Sequence, residues 1–304
     1  MMIAKSIVIG SNGYLGRHMA DRLSAMGFEN SNYDIHSAPS PGVENYKPLD
    51  LTDREQFCRL DPGVDYLFLF AGLTGTAEGF DRYHEFVNVN EIGLLNLLDW
   101  VRQTGCRARI VFPSTRLVYR GSNRPLREAD PCEAKTIYAA GKLNAEKLLQ
   151  VYHNAFGIEY TVFRICVPYG SVLDGPRSYG TLGFFLRQAE SGRDISLFGD
   201  GQIRRTFTHV SDICSSIMRA VVCDGSRNEI VNIGGEDLSL LKVAEQVADK
   251  YGVSVQFVGW PEMALKLESG STVFCDSKLQ SLVPCRYEFS IKSWLEGLPV
   301  VSPK

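Results

Sequence analysis

Ile7-Val8-Ile9-Gly10-Ser11-Asn12-Gly13-Tyr14-Leu15-Gly16 carries a short apolar run into a glycine-rich turn, and the helical pattern Arg17–Met26 follows. Ser6–Gly10 reads as a buried strand, so the glycines stand between a strand and a helix. Glycine permits the tight turn and lets backbone amides approach a pyrophosphate closely; the third, Gly16, allows the helix to pack tightly on the strand. A helix start behind such a turn offers unpaired NH donors and a favourable dipole to an anion. In this context the GxxGxxG spacing is read as a dinucleotide site built from Gly10, Asn12, Gly13, Tyr14, Leu15 and Gly16 rather than as a structural turn.

Working outward, Asp34 lies 18 residues beyond Gly16, at the end of a candidate strand over 32–35. A carboxylate there accepts both adenosine ribose hydroxyls and repels the extra phosphate of NADP, which favours NAD. Asp50-Leu51 opens a further loop, with Asp50 either directed at adenine or serving as a helix cap. Ala71-Gly72, after the apolar run Asp65–Ala71, brings backbone close to a cofactor or merely ends a strand.

Asp65–Ala71, Ala108–Pro113 and Glu159–Ile165 are short apolar strands without polar alternation, as expected for burial on both faces. Between them, 91–104 and 137–156 have helical periodicity. The order implies an α/β chain with a parallel sheet covered on both sides. Pro168–Gly183 is rich in loop residues around a ligand. Beyond it, helices are expected over 182–191, 209–223, 240–251 and 291–298, with strands at 195–198 and 229–233. The expected division is a cofactor domain over 1–166 and a mainly substrate-binding region over 167–304, with segments around 209–235 returning to the first.

The full chain of 304 residues has 32 basic and 35 acidic side chains, a net charge of −3, which gives no support to a nucleic-acid binder. Hydrophobic residues make up 44%, too many for disorder. Eight scattered cysteines without a CxxC pair suggest reduced thiols in a cytoplasmic protein, and no ligand-spaced Cys/His cluster suggests a metal. The N-terminal stretch lacks the apolar core of a signal peptide, and no run reaches the ~20 apolar residues that span a bilayer.

Tyr138-Ala139-Ala140-Gly141-Lys142 is YxxxK, whose spacing sets Tyr138 and Lys142 on one helical face. An ammonium beside the phenol stabilises tyrosinate, so Tyr138 can exchange a proton near neutral pH. Lys142 is also positioned to bind nicotinamide ribose hydroxyls. A hydroxyl partner comes from Ser114 or Thr115, both after the strand 108–113; spacing alone does not choose between them.

These motifs, in this order, resemble an extended short-chain dehydrogenase/reductase of the NAD-dependent nucleotide-sugar epimerase/dehydratase group, over roughly residues 5–298. The resemblance implies a Rossmann-like doubly wound parallel sheet with a smaller C-terminal substrate-binding region. Asn90-Glu91-Ile92-Gly93 matches the family's Asn-x-x-Gly motif, implying that Asn90 supports the active site. The register of Ser114-Thr115-Arg116-Leu117-Val118-Tyr119 implies Thr115 as the catalytic hydroxyl, with Ser114 as its neighbour at the substrate. Arg164–Gly170 resembles the segment joining the two domains, with Val167 where the family carries an asparagine. Arg205–Asp212 resembles a segment whose arginine clamps a nucleotide diphosphate, so Arg205 is the candidate clamp, with Arg204 or Arg177 assisting. His209 either contacts nucleotide or caps the next helix; Tyr83 and His84 either shape the sugar pocket or occupy an exposed loop.

The family's dehydratases carry an Asp-Glu pair directly after the catalytic threonine. Arg116-Leu117 stands there, and neither side chain can do carboxylate acid/base work. The resemblance therefore implies an epimerase acting at sugar C4 of a nucleotide-diphosphate sugar, with a keto-sugar reductase or dehydrogenase as the alternative and a non-catalytic dinucleotide binder behind both. It also implies a homodimer through the helices near 91–104 and 138–156.

Overall fold

The computed structural model describes residues 3–173, 178 and 180–299. Strand β1 (Lys5–Ile9) leads through the glycine turn into α1 (Tyr14–Ala25), followed by β2 (Glu29–Asp34) and β3 (Tyr46–Pro48). The chain then crosses back, and β4 (Tyr66–Leu69) pairs with β1 on the side opposite β2. Short helices α2 (Glu78–Asp81) and α3 (Tyr83–Val87) run through a wide π turn at Asn88–Ile92 into α4 (Gly93–Thr104). β5 (Arg109–Thr115), α5 (Ile137–Phe156) and β6 (Tyr160–Ile165) complete this half.

The remaining elements are β7 (Val167–Tyr169), α6 (Gly180–Glu190), β8 (Ile195–Phe198), β9 (Arg204–His209) and α7 (Val210–Val221). They continue with β10 (Glu229–Asn232), β11 (Glu236–Ser239), α8 (Leu240–Tyr251) and β12 (Val255–Val258). α9 (Glu262–Leu267), α10 (Ser277–Leu282) and α11 (Ile291–Glu296) end the described chain.

Seven parallel strands form the main sheet in the order β10-β6-β5-β4-β1-β2-β3. Strand alternation divides its side chains between two cores. Ile7, Ile9, Leu67, Leu69, Ile110 and Phe112 pack with α4 and α5. Val8, Phe68, Val111, Phe163 and Val231 face Met19 and Leu23 of α1 and Ile213 and Ile217 of α7. Each fully buried side chain of this size contributes ~2 kcal/mol. A third core joins α6, α8 and α11 to β7 and β9, which form a three-stranded sheet with β11, while β12 pairs with β8. The strand order reverses between β1 and β4, and the carboxyl ends of strands at such a point form the ligand crevice of open α/β sheets.

β2 begins three residues before the expected 32–35 and ends one earlier. Its sequence, Glu-Asn-Ser-Asn-Tyr-Asp, hides the strand from an apolar search because polar side chains satisfy one another inside it. The Ser6 hydroxyl donates to Asn30, the Asn30 amide to Asn32, and the Asn32 amide to the Glu44 carbonyl. α1 starts at Tyr14, earlier than the expected Arg17, directly out of the glycine turn. No helix among the described residues is long and apolar enough to cross a membrane.

Candidate active site

The glycine turn closes at the switch point. Gly10 has φ 93°, and a Cβ on it would lie 2.2 Å from the Ala71 nitrogen; one on Gly16 would lie 1.9 Å from the Gly10 carbonyl oxygen. Only hydrogen fits at either position, so backbone stands where side chains would otherwise fill the crevice. The Gly10 and Ser11 amides donate to the Tyr33 carbonyl at 2.7 and 3.1 Å, tying the turn to β2. Gly13 caps α1 without a side chain, so no side-chain oxygen takes the helix's first amides.

Around this turn the expected residues divide by role. The Asn12 amide donates to Asp34 Oδ2 at 3.0 Å, and its side chain fastens the loop at Ala38 and Ser40. Asp34 ends β2 with its carboxylate beside the turn, where a ribose hydroxyl pair would meet it. The Tyr14 hydroxyl donates to the Gly170 carbonyl at 2.6 Å, joining α1 to the segment after β7; burial pushes its pKa well above the usual phenol value. Leu15 packs against the α1–α7 core. Asp50 Oδ1 accepts from both the Thr52 amide and hydroxyl at 2.8 Å in an Asx turn, and the helical turn that follows is capped by Asp53, not Asp50.

Asn90, in the π turn, brackets the chain that follows β4. Its Oδ1 accepts from the Leu73 amide at 2.8 Å and its Nδ2 donates to the Leu73 carbonyl at 3.0 Å. This holds Ala71 and Gly72 against the crevice. Leu51, Ala71, Asn90, Phe112 and Lys142 line one small cavity there, so residues far apart in sequence converge at the C-terminal ends of β4 and β5.

Thr136 caps α5 by accepting from the Ala139 amide at 3.0 Å, which sets Tyr138 in the first turn and Lys142 one turn later. Tyr138 is half-buried. Lys142 is buried; its Nζ donates to the Pro113 carbonyl at 2.8 Å and lies 4.2 Å from the Phe112 ring centroid. Burial brings its pKa down to about 7, against the opposing charge of Glu146.

Ser114 and Thr115 are consecutive residues of one strand, so they face opposite sides of the sheet. Ser114 donates to Glu146 Oε1 at 2.5 Å. Glu146 is 1% exposed and pairs with Arg164, whose Nη2 lies 2.6 Å from Oε2. Arg164 in turn stacks on the Tyr119 ring, and Tyr119 donates to Asn232 of β10. The expectation that Ser114 meets substrate is therefore corrected: its hydroxyl is committed to this buried network. Thr115 accepts from the Leu117 amide at 3.3 Å and ends β5 on the other face. Glu146 was missed in the sequence, although its spacing from Lys142 sets both on one face of α5.

Arg205 is 3% exposed, with Nη2 2.8 Å from Glu268 Oε2; its Nε and Nη1 are enclosed without a hydrogen-bond partner among the described residues. Arg204, its neighbour in β9, points outward to Asp237, because strand alternation excludes it from the face Arg205 occupies. That corrects its pairing with Arg205 as a clamp; Arg177 lies outside the described residues. His209 caps α7, its Nδ1 accepting from the Ser211 amide at 3.2 Å. Its ring is stacked on Phe289 and 1% exposed, and burial lowers its pKa to about 4. The nucleotide-contact reading of His209 gives way to the cap. The Tyr83 and His84 rings lie 4.0 Å apart, tilted by 33°, and Tyr83 is exposed.

Residues 6–234 match the family model described as the NAD-dependent epimerase/dehydratase family. The chain belongs to that family. An uncharacterised UDP-glucose epimerase of Bacillus subtilis is 29% identical over 266 residues, covering 82% of each chain. The UDP-glucose 4-epimerase of Streptococcus mutans is 27% identical over 79% of this chain and 80% of its own. In fold, the Thermus thermophilus UDP-glucose 4-epimerase, solved with NAD, superposes with a TM-score of 0.83 at 24% identity, over 96% of this chain and 98% of that one. NAD is the cofactor of this epimerase/dehydratase-family chain. The residues present fit it: the Gly10–Gly16 cradle that a Cβ would fill, and an acid at Asp34 beside it.

Proposed function

We propose that this chain is a nucleotide-sugar 4-epimerase. The observation that carries the reading is the meeting of the Tyr138–Lys142 helix with the end of β5 beside the glycine cradle, with Arg116-Leu117 following Thr115 where a water-eliminating enzyme needs carboxylates. When bound, NAD supplies reversible two-electron chemistry, taking hydride from the sugar carbon and returning it.

Tyr138 acts as the base that takes the proton of the C4 hydroxyl and returns it when the ketone is reduced. Thr115 donates a hydrogen bond to the same sugar oxygen. Lys142, held between Pro113 and Phe112, favours tyrosinate through its charge; a phenolate beside it draws its pKa back upward. Asp34 holds the adenosine ribose, and Asn90 keeps the Ala71–Leu73 backbone in place. The free Nε and Nη1 of Arg205 supply two donors for the substrate's diphosphate.

We further propose a cytoplasmic homodimer through α4 and α5, a reading supported by the exposed Val151 and Phe156 on α5 and by eight free thiols. The test is denaturing release of bound cofactor, with mass analysis, followed by incubation with UDP-, dTDP- and GDP-sugars. NAD or NADH recovered with interconversion of a C4 epimer pair is the expected result. Empty protein that turns over only with added NADH and a keto sugar would replace the epimerase by a reductase.

A further inference from the structure

The reaction proposed above leaves unused one cation that follows Thr115 in the chain. Arg116 follows Thr115 directly, in the short 3-10 turn Arg116–Val118. Its guanidinium is part-buried and makes no hydrogen bond or ion pair with any described residue, and Nη1 is fully enclosed. An enclosed donor without an acceptor forfeits its hydration with no return, so an acceptor is expected from outside the chain.

The charge of the guanidinium reaches a buried neighbour. Burial raises the pKa of the Cys166 thiol, and the positive charge of Arg116 opposes that rise. Cys166 Sγ donates to the Thr272 carbonyl at 3.1 Å, and Thr272 bridges the backbone of Arg205. The Arg116 charge is thus felt at Cys166, beside β7 and the 268–272 segment, while its Nη1 is enclosed without a partner. Ser269 Oγ, on that segment, is also buried and unpartnered. Arg205 already has Glu268, whereas Arg116 has no acid among the described residues.

We propose that Arg116 is a specificity-determining residue that selects nucleotide sugars whose ring carries a carboxylate. This rests on the 4-epimerase reading. In a hexopyranose the diphosphate hangs on C1, across the ring from C4, while the C6 group stands on C5, next to C4. A cation anchored one residue from Thr115 is nearest to that second group. The planar guanidinium fork matches a carboxylate, where a neutral hydroxymethyl would leave its donors unpaired.

The test is equilibrium binding of UDP-glucuronate and UDP-glucose, and of UDP-galacturonate and UDP-galactose, to the full NAD-loaded chain, repeated with Arg116→Ala and Arg116→Lys. The wild type should prefer the uronate of each pair by about tenfold or more. Arg116→Ala should bring the two sugars of a pair to within about twofold of each other, and Arg116→Lys should keep part of the preference. No uronate preference in the wild type overturns the proposal without needing any variant to fold. Equal weakening of both sugars by Arg116→Ala also overturns it, because Arg116 would then hold the diphosphate. Binding of neither sugar removes the nucleotide-sugar reading itself, and this proposal with it.

Discussion

The Ser114 hydroxyl donates to Glu146 at 2.5 Å on one face of β5, and Thr115, the next residue, ends the strand on the other. Two adjacent hydroxyls thus have different work: one completes a buried Ser114–Glu146–Arg164 network, the other caps the Arg116–Val118 turn and is the one proposed to meet substrate. Ser114→Ala should cost about 1 kcal/mol in urea unfolding and leave turnover in place. Thr115→Val should lower kcat about tenfold or more with little change in stability. Equal kinetic loss from both substitutions would contradict this division.

Tyr138→Phe keeps the ring and removes only the proton-carrying oxygen. Turnover should fall by about 10²–10⁴-fold, while the NAD recovered per chain stays as in the wild type. Steady-state assay beside mass analysis of released cofactor separates the two. Retention of full activity would remove Tyr138 as the base.

Lys142 carries a stability cost that depends on pH. Its folded pKa of about 7 lies below its ordinary value because burial disfavours the ammonium. Between these two values the unfolded chain binds more protons, so this residue's penalty is full below about pH 7 and fades as pH rises toward its unfolded value. Lys142→Met should therefore stabilise the cofactor-free protein more at pH 6 than at pH 9, the difference being on the order of 2 kcal/mol. Thermal unfolding at both pH values measures it, and a constant gap would contradict the assigned burial cost. Turnover by Lys142→Met should be nearly absent.

Gly16→Ala places a methyl 1.9 Å from the Gly10 carbonyl oxygen, and backbone on both sides leaves it no room to turn away. The turn must open, at a cost of ~1–3 kcal/mol, and NAD affinity should fall by more than tenfold. Titration of NADH fluorescence against the variant reports it. Gly259→Ala is the control for general glycine effects, since a Cβ there meets nothing within 4 Å and its φ is not positive.

Helices were legible where local chemistry marks both ends. The expected bounds of α5 hold because Thr136 caps the start and Gly157, at φ 70°, closes the end; α8 holds likewise between Ser239 and Gly252. β2 was partly hidden because its buried side chains are polar and find partners on β1 and in the chain before β3. β7, β9 and β11 were missed as strands because each is short and pairs far along the chain, so no local periodicity announces it.

The sequence by itself determined the strand–turn–helix at Gly10–Gly16, the pairing of Tyr138 with Lys142 on one face of a helix, and the missing carboxylates after Thr115. These are properties of spacing and residue type within a few turns of chain. The tertiary structure decided that Ser114 joins the Glu146–Arg164 network while Thr115 caps the next turn, that Arg205 meets Glu268 while Arg116 meets no acid among the described residues, and that His209 caps α7. Those outcomes turn on which strand face and which distant segment each side chain meets, and such contacts exist only once the sheet has brought remote stretches together.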